Sequence, residues 1–202
     1  MKIIGITGGV GAGKTRILAY IEENYKAYVI RTDETAKLLQ TPGHDCYEKI
    51  VECLGNEILG EDGQIDRQKM AQVIFSNQEK LAQVNEIVHP QVNAYVAEKI
   101  KEEEQKGQVD YFFIEAALLI EIHYDEICDE LWYIDTSEDI RRQRLKESRG
   151  YSDEKINDII SKQLSEQEFR KHCQVHLNNN RELQMVYQQI DKELGGNNQW
   201  RK

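Results

Sequence analysis

The chain has 202 residues, enough for one domain with a sizeable core and a small subdomain inserted in it. Its net charge of −10 argues against non-specific binding to nucleic acid or to an anionic membrane, although a few converging basic residues can still gather a phosphate. The four cysteines form no CxxC pair, no stretch approaches eighteen apolar residues and no export signal opens the chain, so the expectation is a reduced, cytoplasmic protein.

In chain order, the first element is a short buried strand, Ile3 to Thr7. A glycine-rich run, "GITGGVGAGKTR", overlaps its end and leads into the helical pattern "RILAYIEENY". A second strand, Ala27 to Ile30, ends at "RTDE". An all-helical excursion follows, from about 42 to 106. In it Tyr47, Ile50, Val51 and Leu54 share one helical face, "GEDGQID" reads as a turn, and Pro90 opens or bends a long helix through Val92, Tyr95, Val96 and Ile100. Asp110 to Ala116 is a third strand, Leu131 to Thr136 a fourth, and Gln174 to Leu177 a weak fifth. Continuous apolar runs separated by helical patterns predict strands covered on both faces in a parallel α/β sheet. With few prolines and no linker, residues 1–202 read as one domain with a substrate-side insertion. The tail, "GGNNQWRK", reads as frayed.

Gly8, Gly13, Lys14 and Thr15 fit G-x-x-x-x-G-K-[ST], with a strand before and a helix after. Glycine lets the backbone approach an anion closely, and loop N–H groups with a helix N-terminus cradle polyphosphate. Lys14 would reach the β- and γ-phosphates, and the Thr15 hydroxyl would join a Mg²⁺ shell. A guanine-reading N-K-x-D is absent, which turns the reading from a GTPase switch to small-molecule phosphoryl transfer.

Asp33, at the end of the second strand, can take a proton from an attacking hydroxyl, hold a metal-bound water, or cap the helix starting at "TDETAKLL". Glu115 ends the third strand, near Mg²⁺ or as a helix cap, and Glu121 follows it. After the fourth strand Arg141, Arg142, Arg144 and Arg149 gather in an acidic chain. They form either a solvated face or a lid over about 141–165, with Arg144 and Arg149 clamping the moving phosphoryl group. His172, Cys173 and His176 have near-zinc spacing but straddle a helix-to-strand change.

With those residues in view, the chain resembles the dephospho-CoA kinase family from Lys2 to about Ile190. The resemblance rests on "GITGGVGAGKT", on "TDETAK" in place of the family's D-A-D-x-x-A-[RH], and on the run from Leu54 to Pro90, which other small P-loop kinases lack. "EAALLIE", "DTSEDIRRQRL" and "KQLSEQEFR" extend it. It implies ATP-dependent phosphorylation of the ribose 3′-hydroxyl of dephospho-CoA, with Mg²⁺ accompanying ATP. It also implies a P-loop NTPase fold with a five-stranded parallel sheet, a helical CoA-side subdomain and a lid. Carried over by position, Gly11, Ala12, Gly13, Lys14, Thr15 and Arg16 hold ATP together with Arg149. Asp33 is the base, Lys14 and Arg144 act on the phosphoryl group, and Thr15 and Glu115 serve the metal. His89 either touches substrate or caps a helix on Pro90. The chain departs from the family pattern at Arg31, Ala117, Glu115, Arg16, and at Asn178 and Asn179 in a region near adenine. A nucleoside or nucleotide kinase, and an ATP-binding regulator without turnover, are the competing readings.

Overall fold

Five short runs rich in β-branched and aromatic residues pair into one sheet. They are β1 (Lys2–Thr7), β2 (Ala27–Arg31), β3 (Tyr111–Glu115), β4 (Glu130–Asp135) and β5 (Val175–Asn178), in the spatial order β2-β3-β1-β4-β5. The computed structural model describes residues 1–75, 77–121 and 123–195; apart from Gly195, the tail read as frayed lies outside them. β1 pairs parallel with both β3 and β4, with Ile4 opposite Phe113 and Ile6 opposite Trp132, and β4 pairs parallel with β5. The weak fifth strand is therefore real, displaced by one residue.

The helices, in chain order, are α1 (Lys14–Asn24), α2 (Thr32–Leu39), α3 (Asp45–Leu54), α4 (Arg67–Phe75), α5 (Gln78–Lys106), α6 (Glu138–Arg149), α7 (Asp153–Ser161), α8 (Glu166–His172) and α9 (Leu183–Glu193). The core of the sheet joins Ile4, Ile6, Phe113, Trp132, Ile134 and Leu177 to Ile17, Leu18 and Ile21 of α1 and to Val186 and Ile190 of α9. Fully buried Trp132 keeps its polar edge satisfied, because its Nε1 donates to Glu130 Oε2 at 2.8 Å. Lys2 Nζ donates to the same oxygen at 2.9 Å. Burial alone would raise the Glu130 carboxyl, but the Trp132 and Lys2 donors outweigh it and hold the group below its ordinary range.

The chain divides into two compact units: Met1–Ile30 with the described residues from Glu103 on, and the contiguous stretch Arg31–Glu102. The second unit is helical and begins earlier than residue 42, because α2 belongs to it. Its buried residues include Cys46, Tyr47, Ile50 and Leu54 of α3. On α5, Val84, Val88, Val92 and Val96 recur every fourth residue as one buried row. The turn expected at "GEDGQID" is present: Gly60 N–H donates to Gln64 O at 2.8 Å, and the Tyr47 hydroxyl donates to Gly63 O at 2.5 Å. Pro90 does not open a helix. It lies inside α5, which runs without interruption from Gln78 to Lys106. Proline lacks the N–H that would bond the preceding turn, and the valine row continues on both sides of it.

Candidate phosphate site

β1 ends at Thr7 and α1 begins at Lys14, so the glycine run is the whole connection between strand and helix. Gly13 has φ of 94°, a left-handed conformation that few side chains tolerate, and a Cβ there would stand 2.7 Å from Asn179 Nδ2. No side chain caps α1 among the described residues, and its first turn holds no acidic residue. The positive end of such a helix favours an anion.

Three donors converge on one carbonyl oxygen of the loop. Asn179 Nδ2 donates to Ala12 O at 2.7 Å, Thr136 Oγ1 at 3.1 Å and Arg144 Nη1 at 3.2 Å. The second Arg144 nitrogen, Nη2, donates to Asn179 O at 3.1 Å. In a trans peptide the C=O and the next N–H point in opposite directions. Fixing the Ala12 carbonyl against β4, β5 and α6 therefore turns the Gly13 N–H the other way, as a phosphate cradle requires. Asn179 is buried, and its Oδ1 has no hydrogen-bond partner among the described residues. Burial, followed by the like charge of Arg16, lowers the Arg144 pKa from its ordinary value.

At the start of the loop, Lys14 Nζ donates to Gly8 O at 2.7 Å and lies 3.7 Å from Glu115 Oε1. Glu115 closes β3, the neighbour of β1, which explains how two residues so distant in sequence meet. Arg141 is buried against the same part of the loop: a Cβ on Gly9 would fall 2.1 Å from its Nη1, and one on Gly11 3.0 Å from its carbonyl oxygen. Glycine at these two positions is what lets α6 approach. Gln163, between α7 and α8, accepts from Val10 N–H at 3.3 Å and from Arg141 Nη1 at 3.1 Å.

Lys14 and Glu115 thus meet at the Gly8 end of the loop and Arg144 at Ala12, with Thr15 and Arg16 exposed on the first turn of α1. Arg149, at the end of α6, is exposed and stands 5.8 Å from the Tyr151 ring centroid. Asp33 does not end a strand. β2 stops at Arg31, and Asp33 is the second residue of α2, in the other unit and exposed. It is not the N-cap residue either, because Arg31 holds that position. An acidic residue in the first helical turn is favoured by the helix dipole, which explains why "TDE" starts the helix so soon.

Glu115 caps no helix; a turn follows it. His89 is exposed within α5, so the cap reading on Pro90 fails. The near-zinc trio is occupied otherwise. His172 Nε2 lies 3.6 Å from Glu168, a ring nitrogen of His176 lies 3.0 Å from the Cys173 carbonyl, and burial pushes the Cys173 thiol up to about 12. Thr136 and Gln163 carried no site signal of their own in the sequence, and Arg141 was singled out only as a member of the arginine cluster. A further hint was the polar run Asn178 to Asn180, which begins at the last residue of β5.

The sequence model of a family described as dephospho-CoA kinase matches residues 2–185. A dephospho-CoA kinase of Carboxydothermus hydrogenoformans is 34% identical over 190 residues, covering 94% of this chain and 91% of that one. A solved structure from Thermus thermophilus superposes with a TM-score of 0.80 at 25% identity, covering 96% of each chain. The dephospho-CoA kinase of Campylobacter jejuni shares the fold with a TM-score of 0.70 at 20% identity, covering 97% of this chain and 99% of that one.

Proposed function

The chain belongs to the dephospho-CoA kinase family, and from that premise we propose how its residues divide the work of phosphorylating dephospho-CoA at the ribose 3′-hydroxyl with ATP, giving coenzyme A and ADP. The observation that carries the assignment is the anchoring of the phosphate loop. Its Ala12 carbonyl is held by three donors and its Gly8 carbonyl by Lys14, so the chain's own residues fix the shape of the loop. Preorganised donors stabilise charge without reorganising during the reaction, which is the main means by which phosphoryl transfer is accelerated.

In this reading the N–H groups from Gly11 to Arg16 hold the ATP phosphates. Lys14, released from Gly8 O toward the substrate, stabilises the oxygens of the moving phosphoryl group. Arg144 fixes the loop and adds its charge beside it. Arg149, on the same helix, is assigned to the lid. Thr15 offers a hydroxyl and Glu115 a carboxylate, hard oxygen donors that suit Mg²⁺ alongside phosphate oxygens and water. Glu115 approaches Lys14 from the end of β3, which supports its place in that set. When bound, the ion neutralises charge on the phosphates. Asp33 is assigned as the base that orients the ribose hydroxyl and accepts its proton. Its support is its position directly after β2, together with the family motif it matches.

A coupled ADP-release assay with dephospho-CoA, set against AMP, dTMP, shikimate and pantothenate, tests the reading. Turnover with dephospho-CoA is expected. Turnover with a nucleotide in its place, or with none of the five, overturns it.

A further inference from the structure

The two ends of the phosphate loop differ in what touches them. Ala12 and Gly13 lead into α1 and meet Arg144 and Asn179. Gly8, Gly9 and Val10 meet Lys14, Arg141 and Gln163. The loop lysine serves the β- and γ-phosphates, so its placement on Gly8 O marks the first half as the terminal-phosphate end. In that half a single neutral oxygen, Gln163 Oε1, receives a backbone N–H from Val10 at 3.3 Å and a guanidinium N–H from Arg141 at 3.1 Å. One backbone amide and one arginine converging on one oxygen is the donor pair that phosphoryl oxygens engage. An amide oxygen is a weaker acceptor than an anionic one, and a buried guanidinium needs an acceptor whether or not nucleotide is bound.

We propose that the terminal phosphate of ATP competes with Gln163 Oε1 for this donor pair, so that Val10 N–H and Arg141 distinguish a nucleoside triphosphate from a diphosphate. The proposal rests on the reading of the loop as the ATP site. It makes Arg141 a specificity-determining residue and Gln163 the phosphate's competitor for it. It also gives the segment between α7 and α8 a reason to move when ATP binds. After transfer, ADP lacks the oxygen that displaced Gln163, and the amide returns to its two donors.

The test is calorimetric titration of the full chain with Mg·ATP and, separately, Mg·ADP. In Gln163→Ala the competing oxygen is gone, and ATP is expected to bind roughly three- to tenfold more tightly, with ADP within about twofold of the parent chain. In Arg141→Ala a charge-assisted contact is lost, and ATP is expected to bind about ten- to a hundredfold more weakly with ADP little changed. Arg141→Lys, which keeps the charge and loses the planar fork, should fall between and serves if the alanine variant does not fold. If Gln163→Ala leaves the ATP-to-ADP affinity ratio unaltered, or weakens both nucleotides alike, Gln163 is only a structural tether and the proposal is wrong. Should the parent chain bind neither nucleotide, the ATP-site reading itself fails, an outcome distinct from an unaltered ratio on a chain that binds both.

Discussion

Truncating Asn179 to alanine removes the shortest of the three donors on the Ala12 carbonyl. Thr136 and Arg144 still serve that oxygen, so no buried acceptor is stranded. The loss is one neutral hydrogen bond, about 1 kcal/mol, plus the contacts of a small buried side chain. Against it stands the removal of Oδ1, a buried acceptor with no partner among the described residues, whose burial costs about 1 kcal/mol or more. The two terms nearly cancel, and thermal unfolding should shift by no more than about 4 °C. The nucleotide site has no such compensation. With its closest anchor gone, the Ala12–Gly13 peptide has to be ordered by the ligand, and Mg·ATP affinity should fall roughly five- to tenfold, about 1–1.4 kcal/mol. Asn179→Asp is the sharper variant, since it keeps the shape and sets an acceptor against a carbonyl oxygen; it should weaken ATP further. Calorimetric titration beside thermal unfolding measures both effects. An alanine variant that binds ATP like the parent but loses more than about 3 kcal/mol of stability would show that Asn179 secures β5 and has no bearing on the loop.

Lys14→Ala should lower kcat on the order of a hundred- to thousandfold, the loss expected for one transition-state charge contact; near-normal turnover refutes the role given to this lysine. Asp33→Asn should still bind Mg·ATP and dephospho-CoA in titrations yet lose roughly 10²-fold or more in kcat. If turnover survives, the base is to be sought first at Glu115. Because the folded-state pKa of Glu130 is depressed, its contribution to stability is present above the unfolded carboxyl value of about 4.3 and is lost as pH falls through the folded value. Glu130→Gln should therefore be less stable than the parent at pH 7, by about 1 kcal/mol or less, with the difference closing below about pH 4. Equal stability gaps at pH 7 and pH 3 would count against the Trp132 and Lys2 pairing.

Most of the sheet was legible because its strands are buried on both faces, so each reads as an apolar run rather than an alternation. Even Val175–Asn178, the weakest, lies within one residue of expectation. Boundaries were harder where polar chemistry decides them: "RTDE" reads as a strand end, yet the helix dipole draws Asp33 into the first turn of α2. Of the two readings of Pro90, the helix start is excluded: a proline signals a boundary locally, while burial of the valine row carries the helix on through it. In the site, Lys14, Thr15 and the glycines announce themselves by spacing. Glu115 follows from its strand end, and Arg144 from an arginine cluster in an acidic chain. Arg141 stands in the same cluster but without a role of its own, and Thr136 and Gln163 give no signal. Their contribution depends on α6, β4 and the α7–α8 segment being folded against the loop, a juxtaposition that no local pattern encodes.

The central strand has a consequence for the order of assembly. β1 is made first, but its two neighbours are β3 and β4, more than a hundred positions later. During synthesis Ile4 and Ile6 wait without partners while the whole of Arg31–Glu102 emerges. That stretch is continuous, and its contacts can form from within; the sheet cannot close until β4 has left the ribosome. High sequence separation slows folding and leaves an apolar strand edge open meanwhile. Refolding from denaturant should accordingly show helix gained in the contiguous unit before Trp132 fluorescence reports its burial. The loop that cradles phosphate, anchored by residues 136, 144 and 179, is among the last parts to take shape.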